Sequence, residues 1–218
     1  MTIWFASGNI HKKKELYDIL SGDILFGNVS GLNREIKTPS EIGLDFEPEE
    51  TGNSFLENAL IKARKLYSLL EGHAAWQQGD PVIADDSGLC VDALGGRPGI
   101  HSARYGGKNL DAAKKNAMLL SELGDNAQRK ARFVCAMVLY FGPDRFYIAQ
   151  ETMEGELVKS ARGKGGFGYD PVLFIPELDR TVAELSAEEK NRLSHRGKAG
   201  RAIACFLNSS LENIITPN

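Results

Sequence analysis

Residues 3–20 read IWFASGNIHKKKELYDIL, and two periodicities meet inside them. Ile3-Trp4-Phe5-Ala6 is a short unbroken apolar run, the pattern of a buried strand, while Leu16, Ile19 and Leu20 recur at helical spacing behind the basic run Lys12-Lys13-Lys14. Ser7-Gly8-Asn9 stands between them as a tight loop. The stretch predicts strand, loop, helix.

The alternation continues along the chain. Residues 27–52 are polar, acidic and interrupted by Pro39 and Pro48, which predicts a connection holding one short strand. Ser54-Phe55-Leu56-Glu57 reads as a capping box, and Phe55, Ala59, Ala63, Leu66 and Leu70 run down one face of a four-turn helix ending at Gly72. Val82-Ile83-Ala84 predicts a short buried strand stopping at Asp85-Asp86-Ser87-Gly88, and Gly95-Gly96-Arg97-Pro98-Gly99 a long exposed loop. Asp111 to Leu123 is helical in spacing. Arg132 to Phe141 and Arg145 to Glu151, joined across Gly142-Pro143-Asp144, predict an antiparallel hairpin. A glycine cluster at 163–168 precedes a strand at Val172 to Ile175, Ser186 to Glu189 is a second capping box, and Ala199 to Leu211 is a closing amphipathic helix. Crossover and hairpin strands alternating with helices predict an α/β fold with a central mixed β-sheet flanked by helices, one domain over 1–218 with two lobes.

Composition bounds the partners. At 218 residues, 42% apolar and 25% charged, the chain buries roughly 70% of its unfolded surface and is no disordered, collagenous or coiled-coil chain. Lys plus Arg number 26 against 29 Asp plus Glu, so the net charge of -3 offers no positive field for a nucleic-acid polymer or an anionic membrane. A small anion held by local cations remains open. Cys90, Cys135 and Cys205 lack metal-ligand spacing and read as buried small hydrophobes in a reducing compartment. No stretch approaches the roughly 18 apolar residues of a membrane span, which predicts a cytoplasmic protein.

Four segments could carry chemistry. Ser7-Gly8-Asn9-Ile10-His11-Lys12 lies where a strand gives way to a helix, offering free amides and a positive dipole end to a phosphate, with Lys12 as a mobile counter-charge. An Asn turn before a solvated lysine run fits the same residues. Asp85-Asp86-Ser87-Gly88 places two repelling carboxylates at the carboxyl end of a strand, where a divalent cation would keep at least one ionised. Asp86 is the better metal ligand and water activator, and Glu49 or Glu50 could add a second oxygen. An acidic Asx turn is the alternative. Gly165-Gly166-Phe167-Gly168-Tyr169-Asp170-Pro171 sets aromatics between glycines that would let a flat nucleobase stack, or forms an ordinary turn with the rings packed inward. Lys190 with Ser194-His195-Arg196 presents donors suited to the oxo groups of a purine, or caps a helix with His and Arg solvated. A Ser-His-Asp triad lacks its nucleophile elbow and is discounted.

Together and in this order the segments resemble the inosine triphosphate pyrophosphatase family, the HAM1-like XTP/dITP diphosphatases. The resemblance rests on Ser7-Gly8-Asn9-x-x-Lys12-x-x-Glu15, Glu50-Thr51-Gly52 with Ser54-Phe55-x-Glu57-Asn58-Ala59-x-x-Lys62-Ala63, and Ala84-Asp85-Asp86-Ser87-Gly88-Leu89. It extends through Gly95-Gly96-Arg97-Pro98-Gly99 with Ser102-Ala103-Arg104-Tyr105, Gly166-Phe167-Gly168-Tyr169-Asp170-Pro171, and Ala183-Glu184-Leu185 with Lys190 and Ser194-His195-Arg196. It implies two lobes around a cleft, a homodimer, and Mg2+-dependent hydrolysis of ITP, dITP and XTP to the monophosphate and pyrophosphate. By the same resemblance, Ser7 to Lys12 hold the triphosphate, Asp86 is proton acceptor and metal ligand with Glu49, and Ser87 contacts substrate. Phe167, Gly168, Tyr169, Asp170, Lys190, His195 and Arg196 form the base pocket. Ser7 replaces a more usual Thr, and His11 a more usual small residue. A Maf-like pyrophosphatase of other nucleotides and a non-catalytic nucleotide sensor are the rival readings.

Overall fold

Strand β1 (Thr2–Phe5) forms on the apolar run, with Ile3, Trp4 and Phe5 wholly buried; removing one such side chain from water contributes roughly 1.5–3 kcal/mol. The computed structural model describes residues 1–21, 35–107 and 110–215, the side chains of 21 and 209–215 excepted. Its seven strands form one mixed sheet in the order β2-β1-β3-β4-β5-β6-β7. β2 (Glu35–Lys37) and β3 (Val82–Val91) flank β1 in parallel; β4 (Lys130–Gly142) turns through Pro143-Asp144 into β5 (Arg145–Leu157), and β6 (Leu173–Ile175) pairs antiparallel with β5 and with β7 (Arg180–Thr181). The helices are α1 (Ile10–Ser21), α2 (Phe55–Leu70), α3 (Ala112–Leu123), α4 (Ala187–Leu193) and α5 (His195–Ile215). This is the α/β class that the alternation predicts. Of the expected 27–52 connection, 27–34 lie outside the described residues; the remainder holds β2 and a 3-10 turn at Pro39–Ile42.

The chain divides into two units. The first comprises Met1–Asp86, Ala136–Gln150 and the segment from Ala199 onward; the second comprises Ser87–Cys135 and Glu151–Lys198. In the first, the apolar stripe of α2 (Ala59, Ala63, Leu66, Leu70) packs with Trp4, Ala6, Val82, Ala84, Val138 and Tyr140. Ser54 caps α2 by accepting the Glu57 amide, while Glu57 reaches back to the Asn53 amide, one residue earlier than a capping box requires. In the second, α3 lays Leu119 and Leu123 into a core with Leu89, Val91, Phe133, Met153, Tyr169, Val172 and Leu173.

Three expectations need correction. β3 does not stop at Asp85 but runs on to Val91. Successive strand residues face opposite sides of the sheet, so Asp85 and Asp86 point to opposite faces and each finds its own lysine, which eases the repulsion for which a divalent cation was expected. The glycine run at 95–99 is no long exposed loop: Pro98 is buried and bridges back to Cys90, and the chain re-enters a 3-10 turn at Gly99–Arg104. Finally, Cys90 and Cys135 are buried but Cys205 is exposed, since α5 turns Ile203, Ala204 and Leu207 inward and leaves position 205 outside.

The 3-10 turn supplies a pH-dependent lock. Glu41 Oε2 accepts from Lys13 Nζ at 2.6 Å and from the Thr38 amide and hydroxyl at 2.7 and 2.8 Å, and these bonds, Lys13 first, lower its carboxyl from 4.5 to about 2. A depressed carboxyl stabilises the fold above its unfolded value and loses that contribution as pH falls through its folded one. The melting temperature of Glu41→Gln should therefore lie below wild type at neutral pH, with the gap closing between pH 4.5 and about 2. A gap independent of pH would show that the carboxylate is not the source.

Candidate active site

In the first unit, β1 ends at Phe5, opposite Ile83, and β3 continues past it, so Asp85 and Asp86 stand beyond the end of β1 where the chain turns into α1. On one face Lys12 Nζ, carried by the first turn of α1, donates to both oxygens of the wholly buried Asp85 at 3.2 and 3.0 Å. On the other face α2 sets Asn58 and Lys62 one turn apart. Lys62 Nζ donates to Asp86 Oδ1 at 3.0 Å and to Glu50 Oε1 at 2.9 Å; Asn58 Nδ2 donates to Asp86 Oδ2 at 3.2 Å, and its own Oδ1 accepts the Gly52 amide at 2.9 Å. Gly52 lies so close to α2 that a Cβ would fall 2.6 Å from that of Glu57. The Glu50-Thr51-Gly52 segment and Asp86 are thus tied to one helix face.

Charge accounting gives this centre its chemistry. Asp85 pairs with Lys12, while Asp86 and Glu50 share Lys62. Burial pushes the Asp86 carboxyl above the ordinary range against the opposing pull of Lys62 and Lys12. Burial also disfavours the Lys62 ammonium, but Asp86, Asp85 and Glu50 outweigh it and hold its pKa above the ordinary value. A carboxylate in this state suits proton acceptance or a further cation. Among the described residues no three of His, Cys, Asp and Glu converge on one point, so an ion here would complete its shell from substrate and water.

The Ser7 to Lys12 segment departs from expectation in two respects. Its helix amides are not all free: Asn9 Oδ1 accepts from the amides of His11 and Lys12 at 2.9 and 3.2 Å, and Ser7 Oγ accepts from that of Asn9 at 3.1 Å. Lys12 is not a mobile counter-charge either, because the buried Asp85 carboxylate demands a fixed cation. Gly8, Asn9, Ile10 and His11 are exposed, Ile10 by 75%. Of the acidic pair, Glu50 is the one held at Lys62; Glu49 is exposed, its carbonyl accepting from Thr51.

In the second unit, Asp170 Oδ2 accepts from Lys190 Nζ and from the Phe167 amide, both at 2.7 Å. The Lys190 ammonium lies 4.4 Å from the centre of the half-buried Phe167 ring, and the Arg196 guanidinium 5.8 Å from it. Arg196 Nη2 donates to Ser87 Oγ at 2.7 Å, and the His195 ring stacks on Phe133 at 4.8 Å. Ser194 closes α4 and, through Oγ, accepts the Gly197 amide in the first turn of α5. The corner is tight: a Cβ at Gly197 would fall 1.8 Å from the Asn191 carbonyl oxygen. His195 and Arg196 are consequently buried rather than solvated. The glycines here serve close packing more than ligand approach, since a Cβ at Gly166 would strike Asp170 and one at Gly163 or Gly165 would strike Ala183, whereas Gly168 faces open space. The Tyr169 ring is in the core with its hydroxyl on the Ser102 carbonyl at 2.9 Å, while the Phe167 ring is half-buried. Burial raises the Tyr169 phenol well above its ordinary value.

Asn58, Lys62 and Glu50 join the Asp86 cluster, although sequence reasoning assigned the first two no role. The available signal was an Asn and a Lys four residues apart on the otherwise apolar stripe of α2, where a buried amide and ammonium must find acidic partners.

The first unit thus carries a lysine-carboxylate cluster, and the second an aromatic ring beside two cations. The chain belongs to the Ham1 family, which matches it over residues 3–206. It is 45% identical over 213 residues to a dITP/XTP pyrophosphatase of Treponema denticola, covering 96% of this chain and 100% of that one. Over 207 residues it is 46% identical to a dITP/XTP pyrophosphatase of Thioalkalivibrio sulfidiphilus, covering 93% and 96%. The solved structure of the Staphylococcus aureus Ham1 protein superimposes with a TM-score of 0.80 at 37% identity, covering 96% of this chain and 100% of that one. No described helix is long and apolar enough to cross a membrane.

Proposed function

We propose that this protein hydrolyses non-standard purine nucleoside triphosphates (ITP, dITP and XTP) to the nucleoside monophosphate and pyrophosphate, removing them from the nucleotide pool. The observation that carries the reading is the buried Asp86 carboxylate, braced by Asn58 and by a Lys62 that it shares with Glu50; the names of the curated relatives agree with it. The same reading takes the protein as a single functional domain and a cytoplasmic homodimer.

The barrier to this reaction is the approach of a poor nucleophile, water, to a polyanion. Asp86 accepts the proton of the water that attacks the α-phosphorus, and pyrophosphate leaves. Lys62 keeps Asp86 ionised. Lys12 and the Ser7 to His11 segment bind the phosphates, with Asp85 fixing Lys12 in place. The donor set fits Mg2+: Asp86, with Glu50 or Glu49, supplies the one or two hard carboxylate oxygens that this ion takes when phosphates and water provide the rest. When bound, Mg2+ supplies neutralisation of phosphate charge.

Base choice belongs to the second unit. Phe167 stacks on the purine, Asp170 holds Phe167 and Lys190, and donors from Lys190, His195 and Arg196 meet oxo groups, with Ser87 steadying Arg196. A buried donor facing an amino group costs about 1–3 kcal/mol, so each mismatch supports about 10- to 100-fold discrimination. Hydrolysis of ITP, dITP, XTP, ATP and GTP, followed by pyrophosphate release with and without Mg2+, tests the reading. Efficiency on ITP at least tenfold that on ATP, lost on chelation, is expected; equal efficiency on the two rules out the base pocket, and full activity after chelation rules out the ion.

A further inference from the structure

Asn116 sits in the middle of α3 on the stripe that otherwise carries Leu119 and Leu123 into the apolar core of the second unit, and it is only 3% exposed. Its Nδ2 donates to the Gly168 carbonyl at 3.0 Å, a contact 52 residues away along the chain. Its Oδ1 is buried with no hydrogen-bond partner among the described residues.

Asparagine is unfavourable here on two counts. It is a poorer helix former than leucine, and one end of its amide is buried without a protein donor. Leucine at 116 would extend the apolar stripe and remove both penalties. What asparagine supplies and leucine cannot is the bond to Gly168. That residue holds a left-handed conformation, φ +62°, directly after Phe167. The Phe167 side of the turn is pinned by Asp170, which accepts the Phe167 amide; the Gly168 carbonyl is the other fixed point. The first bond fixes the peptide joining residues 166 and 167 and the second the peptide joining 168 and 169, so the two bracket Phe167 and set the attitude of its ring.

We infer that Asn116 is a positioning residue for base recognition, acting on the Phe167 ring through the Gly168 carbonyl; the inference rests on the reading of Phe167 as the stacking platform. Asn116 touches no substrate. Losing it frees one end of the turn, so the ring samples orientations that do not stack, and binding weakens while the phosphate chemistry of the first unit is untouched.

The test measures melting temperature, KM and kcat on ITP for Asn116→Leu, Phe167→Ala and the combined variant, in the full chain. Asn116→Leu should melt at or above the wild-type temperature yet raise KM about 3- to 10-fold, the range of one hydrogen bond, with kcat within about twofold. Phe167→Ala should also raise KM, and the combined variant should be no worse than Phe167→Ala, because the asparagine acts only through that ring. If Asn116→Leu fails to fold, Asn116→Ala replaces it. Wild-type KM in Asn116→Leu alongside a raised KM in Phe167→Ala overturns the inference and spares the pocket; wild-type KM in both overturns the two together. Fully additive effects, or an Asn116 effect without a Phe167 effect, also overturn it.

Discussion

Asp86→Asn should lower kcat on ITP by about 10²- to 10⁴-fold, the usual range for removing a general base, with the fold intact. The substitution preserves the shape of the side chain and its neighbours: Asn58 still finds an oxygen acceptor, and Lys62 retains Glu50. What disappears is the charge and the capacity to take a proton. The melting temperature should therefore change little in comparison with kcat, because the carboxylate removed is one that burial already disfavours. Turnover within about threefold of wild type, measured where chemistry limits the rate, would remove Asp86 from the mechanism.

Lys62→Met should be damaging in both stability and turnover. Its ammonium, on a side chain only 9% exposed, serves Asp86 and Glu50 together. Withdrawing one partner from a buried ion cluster strands the other charges and costs about 3–5 kcal/mol. For a chain of this size each kcal/mol moves the melting temperature by about 2–4 °C, so a drop of roughly 6–20 °C is expected. Asp86→Asn placed on top of Lys62→Met should recover part of that loss, since it deletes the stranded charge. A Lys62→Met protein as stable and active as wild type, or one that Asp86→Asn fails to stabilise, would show that the two groups are not coupled.

Much of the fold was legible because local chemistry and tertiary structure agree. The apolar stripe of α2, the Ser186 and Glu189 reciprocal cap of α4, and the Pro143-Asp144 turn between β4 and β5 all appear where their residues predict them. β3 was misjudged because two adjacent aspartates look like a strand terminator until partners on both faces are known, and those partners, Lys12 and Lys62, come from helices 73 and 24 residues away. The same limit hid Asn58 and Lys62. Periodicity identifies a buried face, but not what a polar residue on it will meet. In the second unit, composition singled out the glycine-aromatic segment yet could not say which ring points inward. Tyr169 does, its hydroxyl meeting the Ser102 carbonyl, whereas the Phe167 ring stays half-buried beside Lys190 and Arg196.

The central claim is that water attacks the α-phosphorus of the nucleotide. Hydrolysis of ITP in water enriched with oxygen-18, followed by mass analysis of both products, tests it directly. The account predicts one heavy oxygen in the inosine monophosphate and none in the pyrophosphate. Heavy oxygen in the pyrophosphate, or orthophosphate as the product, would contradict it.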